Sequence, residues 1–138
     1  MHVIVVAAKP DAAQEWLADA AIQVAQQTGA KAHVVSMDGI DVEALSPIPR
    51  SHSEQAARAS AEAVAERIRA AGVDALAVTR PGLVVRGVLL YAEEQDADLI
   101  LVGATGRSLV AQRVLGAVPL ELVARSRRPV LVVSRPQS

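Results

Sequence analysis

Three glycines at fixed spacing, Gly103, Gly106 and Gly116, sit in the stretch GATGRSLVAQRVLGA, directly after the apolar run DLILVG. Glycine has no Cβ, so backbone N–H groups at such positions can approach an anion closely. The chemistry this permits is the cradling of a phosphate chain. Arg107 and Arg113, within the stretch, add positive charge. Glycine also ends strands and opens turns, and on spacing alone a structural turn and a phosphate loop stand as equal readings. The stretch is not a P-loop, which needs four residues between its glycines and a Gly-Lys-Ser/Thr ending. The chain also lacks Gly-x-Gly-x-x-Gly, which argues against a dinucleotide-binding domain.

Other chemistry is thinly represented. His2, His33 and His52 are scattered, with no spacing that would gather a metal or pair with a carboxylate, and ordinary surface positions are expected for them. Thr105 and Ser108 could donate to a phosphate or hydrogen-bond their own turn, and no nucleophile elbow surrounds Ser108. The acidic segment EEQDAD matches no calcium loop and reads as a solvated face. Arg125, Arg127 and Arg128 form a small basic cluster suited to a helix C-terminus. With no general base or metal ligand in evidence, any hydrolysis of a bound phosphate chain is expected to be slow and incidental.

Composition narrows the field further. The 138 residues include no cysteine, which excludes disulfides, thiol catalysis and thiolate metal sites. A net charge of -1 gives no bulk attraction for nucleic acid or anionic membranes, and with one Trp, one Tyr and no Phe there is no base-stacking platform. Apolar residues make up 51%, enough for a core, yet no run approaches the ~20 residues of a membrane span. The expectation is a single cytoplasmic domain over residues 1–138.

The elements that would position the glycines alternate regularly. HVIVVAA is a β-branched apolar run, the pattern of a strand covered on both faces. Ala13, Leu17, Ala20 or Ala21, and Val24 share one helical face, with Trp16 beside it as packing material and Gly29 as the C-cap. KAHVVSM is a second strand, followed by the proline-bearing loop DGIDVEALSPIPRSHS. Ser51 and Glu54 have capping-box spacing ahead of a helix aligning Ala57, Ala61, Val64 or Ala65, and Ile68. DALAVTR is a third strand, a helix runs from about Val84 to Gln95, and DLILVG is a fourth strand. A short helix with Pro119 in its first turn runs through Ala124, and RPVLVVS is the fifth strand. Strands joined by helical crossovers run parallel, giving a three-layer α/β fold with an open five-stranded sheet. If the strand order is 3-2-1-4-5, a ligand crevice lies beyond the carboxyl ends of the first and fourth strands, between AAKPDA and GATGRS. Gly116 then begins the last helix, whose N-terminus favours a phosphate.

The chain resembles the universal stress protein family, whose signature is Gly, two residues, Gly, nine residues, then Gly followed by Ser or Thr. Gly103, Gly106 and Gly116 keep that spacing, and the likeness extends along the chain. Gly82, Val88, Ala92, Asp98 and Leu99 fall at family intervals, and RRPVLVVS is similar to the family's closing strand. The resemblance implies the 3-2-1-4-5 Rossmann-like sheet of the adenine nucleotide alpha hydrolase type and a homodimer paired through Val130 to Val133. It also implies a regulatory stress-response role with ATP at the crevice and magnesium only in company with the nucleotide. Gly103, Gly106 and Gly116 would supply phosphate-facing backbone, Arg107 charge, and Val102 and Met37 the adenine side.

Two departures stand out. ATP-binding members carry an Asp at the end of the first strand, followed shortly by Ser; here Ala8 and Pro10 fall at those positions. Ala117 replaces the final hydroxyl residue. Each lost neutral hydrogen bond matters by about 0.5–1.5 kcal/mol, so losing two weakens binding by about ten- to a hundredfold. Lys9 is either a phosphate neutraliser or a solvated lysine, and Asp11 either a substitute carboxylate or a charge favoured by the helix dipole. The competing reading is a member that binds no nucleotide and works as a dimeric interaction module with an unidentified protein partner.

Overall fold

The structure is a computed structural model that describes residues 1–10, 12–38, 50–104 and 116–136, with only the backbone of residues 50–52. Five strands, β1 (Val3–Ala7), β2 (Lys31–Met37), β3 (Ala75–Arg80), β4 (Leu99–Ala104) and β5 (Val130–Ser134), form one parallel sheet in the order β3-β2-β1-β4-β5. Four helices accompany them: α1 (Glu15–Thr28), α2 (Arg50–Ala70), α3 (Val84–Glu94) and α4 (Ala117–Arg125). The expected order and architecture are both present.

Alternation along β1 divides the core. Ile4 and Val6 pack with Leu17, Ala18 and Ala21 of α1 and Ala61, Val64 and Ile68 of α2. Val5 and Ala7 face the other way, toward Val85, Val88 and Tyr91 of α3 and Leu122 of α4. A strand apolar on both faces is therefore sandwiched between helices. Each fully buried Ile, Leu or Val contributes ~1.5–3 kcal/mol relative to exposure, so these two layers dominate the stability. The ion pair of Arg67 with Asp19 across α1 and α2, at 2.8 Å, is exposed and screened. It still holds the Asp19 carboxyl below its ordinary value, through the Arg67 hydrogen bond first.

Helix ends follow the sequence signals with one exception. Gly29 caps α1 in the left-handed region, φ 75°, with its N–H on the Ala25 carbonyl at 2.7 Å. The exception is the capping box. Because α2 begins at Arg50, Ser51 is already helical and is not the cap. A hydroxyl three residues ahead of a glutamate fits within a first turn as readily as at its edge.

At the foot of the sheet, Asp98 Oδ2 accepts the His2 and Val3 amides at 2.6 and 3.1 Å, fastening the start of β1 to that of β4. Those two backbone donors lower the Asp98 carboxyl. No helix among the described residues is long and apolar enough to cross a membrane.

Candidate functional site: the crevice at the ends of β1 and β4

From β1 the chain moves outward to β2 and β3, then returns to β4 on the other side of β1. The β1/β4 boundary is thus the point where strand order reverses, the position at which open α/β sheets take their ligands. Ala7 lies opposite both Val35 and Val102, so the ends of all three strands meet at this level.

The loop after β1 is held at three points. The Ala8 N–H bonds the Val35 carbonyl at 2.9 Å, the Lys9 carbonyl accepts from Ser60 Oγ of α2 at 2.6 Å, and the Lys9 N–H donates to Gln14 Oε1 at 2.8 Å. The Lys9 side chain is exposed, in keeping with a solvated lysine and free to swing toward an anion. Ala8 is buried in the apolar layer with Ile4 and Val6, so a carboxylate in its place would be withdrawn from water. Asp11 lies outside the described residues.

On the β4 side, Gly103 turns toward α1. A Cβ there would lie 2.4 Å from Trp16 Cη2 and 3.1 Å from Gln14 Nε2. Glycine is required at this position by the protein's own indole. Trp16 packs against the α1-side core layer as expected, and its ring also rests on the first glycine of the motif. Neither Gln14 nor this role of Trp16 was legible beforehand, because each depends on a contact between α1 and β4 that no local pattern encodes.

Val102 and Met37 project into the opposite layer, against α3. Met37 is only 3% exposed and its thioether fills the space left by Gly87 in α3. The two residues assigned to the adenine side therefore share a layer, apart from Gly103, and present little surface in this state.

Gly116 is the N-cap of α4 and Ala117 its exposed first residue. No side chain caps this helix. Pro119 has no N–H, and the Leu120 N–H bonds the Gly116 carbonyl at 3.3 Å. The amides of Ala117 and Val118 remain as first-turn donors at the positive end of the helix. Gly106, Arg107, Arg113, Thr105 and Ser108 lie outside the described residues.

The buried Asp38 carboxylate lies at the end of β2, while the donors available to an anion among the described residues are the α4 amides, the Gln14 amide nitrogen and the Lys9 ammonium. Such a set fits an anionic group. No group of three or more His, Asp or Glu is placed to hold a metal among the described residues.

Away from the crevice, two expectations need correction. His33 is not a surface residue; it is 6% exposed, and its Nδ1 meets the Tyr91 hydroxyl at 2.7 Å. It sits in β2, which is covered on both faces, so burial follows from the strand's position. Arg128 does not serve the end of α4. It bonds Glu93 and Asp96 at 3.2 Å each and also the Ala97 carbonyl, so the acidic segment is a docking point for the turn before β5 rather than a wholly solvated face. A cavity of about 300 Å³ lies in this region, between α3 and that turn, remote from the crevice.

Comparison with known proteins agrees with this geometry. The sequence model of the universal stress protein family matches residues 1–134. A universal stress protein of Mycobacterium tuberculosis is 40% identical over 81 residues, 58% of this chain and 47% of the relative. One from Methanocaldococcus jannaschii is 34% identical over 56 residues, 41% of this chain and 33% of the relative. The aligned chain spans about half the length of the mycobacterial relative. Among solved structures, a universal stress protein from Archaeoglobus fulgidus superposes with a TM-score of 0.82 at 20% identity, covering 96% of this chain and 98% of that one. A universal stress protein in complex with cAMP is 28% identical, with a TM-score of 0.69 and 96% of each chain covered. The chain belongs to the universal stress protein family.

Proposed function

We propose that this protein is a regulatory, non-catalytic module that binds an adenine nucleotide, ATP, weakly at the crevice between the loops after β1 and β4. The observation that carries the reading is the set of donors beside the reversal point of the sheet, together with an α4 N-terminus that no side chain caps. The cAMP complex of a relative 28% identical over nearly the whole chain supports an adenine nucleotide as the ligand class. Gly103, Gly106 and Gly116 supply backbone to the phosphates, with Arg107 and Lys9 as counter-charges. Met37 and Val102 serve the base, and Ala8 and Ala117 leave contacts unmade. Magnesium enters only with the nucleotide.

Calorimetric titration with ATP, with and without magnesium, tests the reading. Binding in the range of tens of micromolar to millimolar is expected, and neither heat nor a thermal shift at millimolar ATP would sink it. Ala117→Ser restores a hydroxyl at the exposed first residue of α4 and should tighten binding about three- to tenfold.

A second reading, that the chain acts through dimerisation, is favoured by its apolar surface. Leu120 and Val123, one turn apart on α4, are 58% and 52% exposed, and Leu131 of the edge strand β5 is also exposed. In this reading two copies pair through Val130 to Val133, with or without nucleotide.

A further inference from the structure

We infer that Asp38, at the outer end of β2, is a specificity-determining residue of the crevice, accepting hydrogen bonds from the sugar hydroxyls of the nucleotide. The inference rests on the nucleotide-binding reading above and names a contact that reading does not contain.

The Asp38 N–H bonds the Arg80 carbonyl at 3.0 Å, which carries the β2–β3 ladder one residue beyond Met37 and fixes the backbone there. On the other side, the Ala8 N–H bonds the Val35 carbonyl, so the outer ends of β1 and β2 stay together. Alternation along β2 sets Ser36 and Asp38 with Val34 on the layer that holds Ala8, and Val35 and Met37 on the opposite one. The carboxylate that β1 lacks at Ala8 thus stands one strand away, about 4.8 Å in sheet spacing, on the same face. Asp38 is only 8% exposed, and an aspartate is seldom buried so far unless its oxygens are used. It interacts within the protein already, but a carboxylate has about four acceptor sites, so lone pairs remain for a ligand. Ser36 is fully buried and its Oγ has no hydrogen-bond partner among the described residues, an uncommon state for a hydroxyl. The end of β2 is therefore polar where the layer beneath it is apolar.

Charge decides which part of a nucleotide Asp38 reads. A carboxylate accepts and does not donate, so it pairs with hydroxyls and repels phosphoryl oxygens. The Ala117 and Val118 amides open α4, the helix that follows β4. In the sheet β1 separates β2 from β4, so the acceptor and these donors belong to opposite sides of the β1 end. A nucleotide fits that polarity in one direction, with its phosphates toward α4 and its ribose toward β2. The vicinal 2′ and 3′ hydroxyls of a ribose both donate to one carboxylate, and dinucleotide-binding sheets set an acidic residue on the ribose in a comparable way. Met37, which serves the base in the reading above, immediately precedes Asp38, as a base adjoins its sugar.

Titration of the full chain with ATP and with 2′,3′-dideoxy-ATP tests the assignment. Wild-type protein is expected to bind ATP about tenfold or more tightly than the dideoxy nucleotide, the effect of hydrogen bonds to a charged acceptor. Asp38→Asn keeps the shape and removes the charge and one acceptor oxygen. It should reduce that preference by about tenfold, with the dideoxy nucleotide changed less than about threefold. Inorganic tripolyphosphate, which carries no sugar, should bind the variant no more weakly than the wild type. If the variant does not fold, the wild-type preference between the two nucleotides still decides. Equal wild-type affinity for both overturns the assignment while leaving nucleotide binding intact, and so does a preference that survives the substitution. An equal loss of both nucleotides in Asp38→Asn overturns it as well, since Asp38 would then be shaping the crevice rather than reading the sugar. Wild-type protein that binds neither nucleotide removes the functional reading and this inference together.

Discussion

His33 and Tyr91 meet through Nδ1 and the phenol oxygen at 2.7 Å, joining β2 to α3 inside the core. Tyr91 also carries the Arg80 guanidinium 4.8 Å from its ring centre, and Arg80 in turn bonds Glu94 at 2.8 Å. Burial first, then the charge of Lys31, pushes the His33 imidazole below its ordinary 6.5. In the tautomer protonated at Nε2 the neutral ring accepts from the tyrosine hydroxyl through Nδ1, and burial likewise raises the phenol.

A pH dependence of stability results. Above pH 6.5 the imidazole is neutral in both states and its contribution is complete. As pH falls below 6.5 the unfolded chain takes up the proton first, and stability declines toward the depressed folded value. Urea titrations from pH 8 to about pH 5 should show this decline, and His33→Gln, which accepts without titrating, should flatten it. Asp19 and Asp98 act in a separate window, because their carboxyls are lowered from 3.8 and lose their contribution only in stronger acid. Tyr91→Phe leaves the buried His33 Nδ1 without its partner and should cost ~1–3 kcal/mol at neutral pH, measured by urea unfolding.

Gly87 reverses a familiar rule. Alanine inside a helix is ordinarily favoured over glycine by ~1 kcal/mol. At Gly87 a Cβ would fall 2.0 Å from Met37 Cε and 2.6 Å from its Sδ. The buried thioether would have to leave its rotamer, and overpacking of this kind costs ~1–3 kcal/mol. Gly87→Ala should therefore destabilise, and adding Met37→Ala should make the glycine replacement favourable again. A stabilised single variant by chemical denaturation contradicts this.

The Trp16–Gly103 contact predicts strong non-additivity. Gly103→Ala should destabilise by ~1–3 kcal/mol, as the indole is forced outward. In a Trp16→Ala background the same change should cost far less. The emission of Trp16, the only tryptophan in the chain, should shift to longer wavelength in Gly103→Ala. Independent, additive effects would mean that the ring does not rest on the glycine.

Dimerisation through β5 can be tested without disturbing the sheet. The Pro129 carbonyl bonds the Ile100 N–H, so in a parallel ladder residues 130, 132 and 134 turn their backbone groups outward. Proline is tolerated on an edge strand where its missing N–H faces away from the sheet. Val132→Pro should leave the fold intact and give a monomer by analytical sedimentation, where the parent protein is expected to sediment as a dimer. A dimer that survives the substitution uses another surface.

How much of this was readable beforehand differs between fold and site. The parallel α/β architecture followed from apolar runs such as VIVVA and from alternation with helices, because burial on two faces imposes a composition that periodicity reveals. The strand order, by contrast, came from the family resemblance. The ends of α3 and α4 fell close to their signals at Gln95 and Pro119. The spacing of Gly103 and Gly116 pointed to a candidate crevice at the ends of β1 and β4. What escaped were contacts between elements distant in sequence. The His33–Tyr91 bond spans 58 residues, and nothing near either residue announces the other. Gln14 looked like an unremarkable polar residue before a helix, since its significance depends on where the Lys9 amide and β4 happen to lie.

Gly103 answers to two masters. A nucleotide would need the open backbone there, but so does the indole of Trp16, which leaves no room for a side chain. Selection for folding would hold this glycine in place even in a lineage that had stopped binding anything. Persistence of the motif is therefore a weak witness to ligand binding in any relative that also carries a bulky aromatic at the Trp16 position. The identity of that one α1 residue is what tells a retained function from a retained shape.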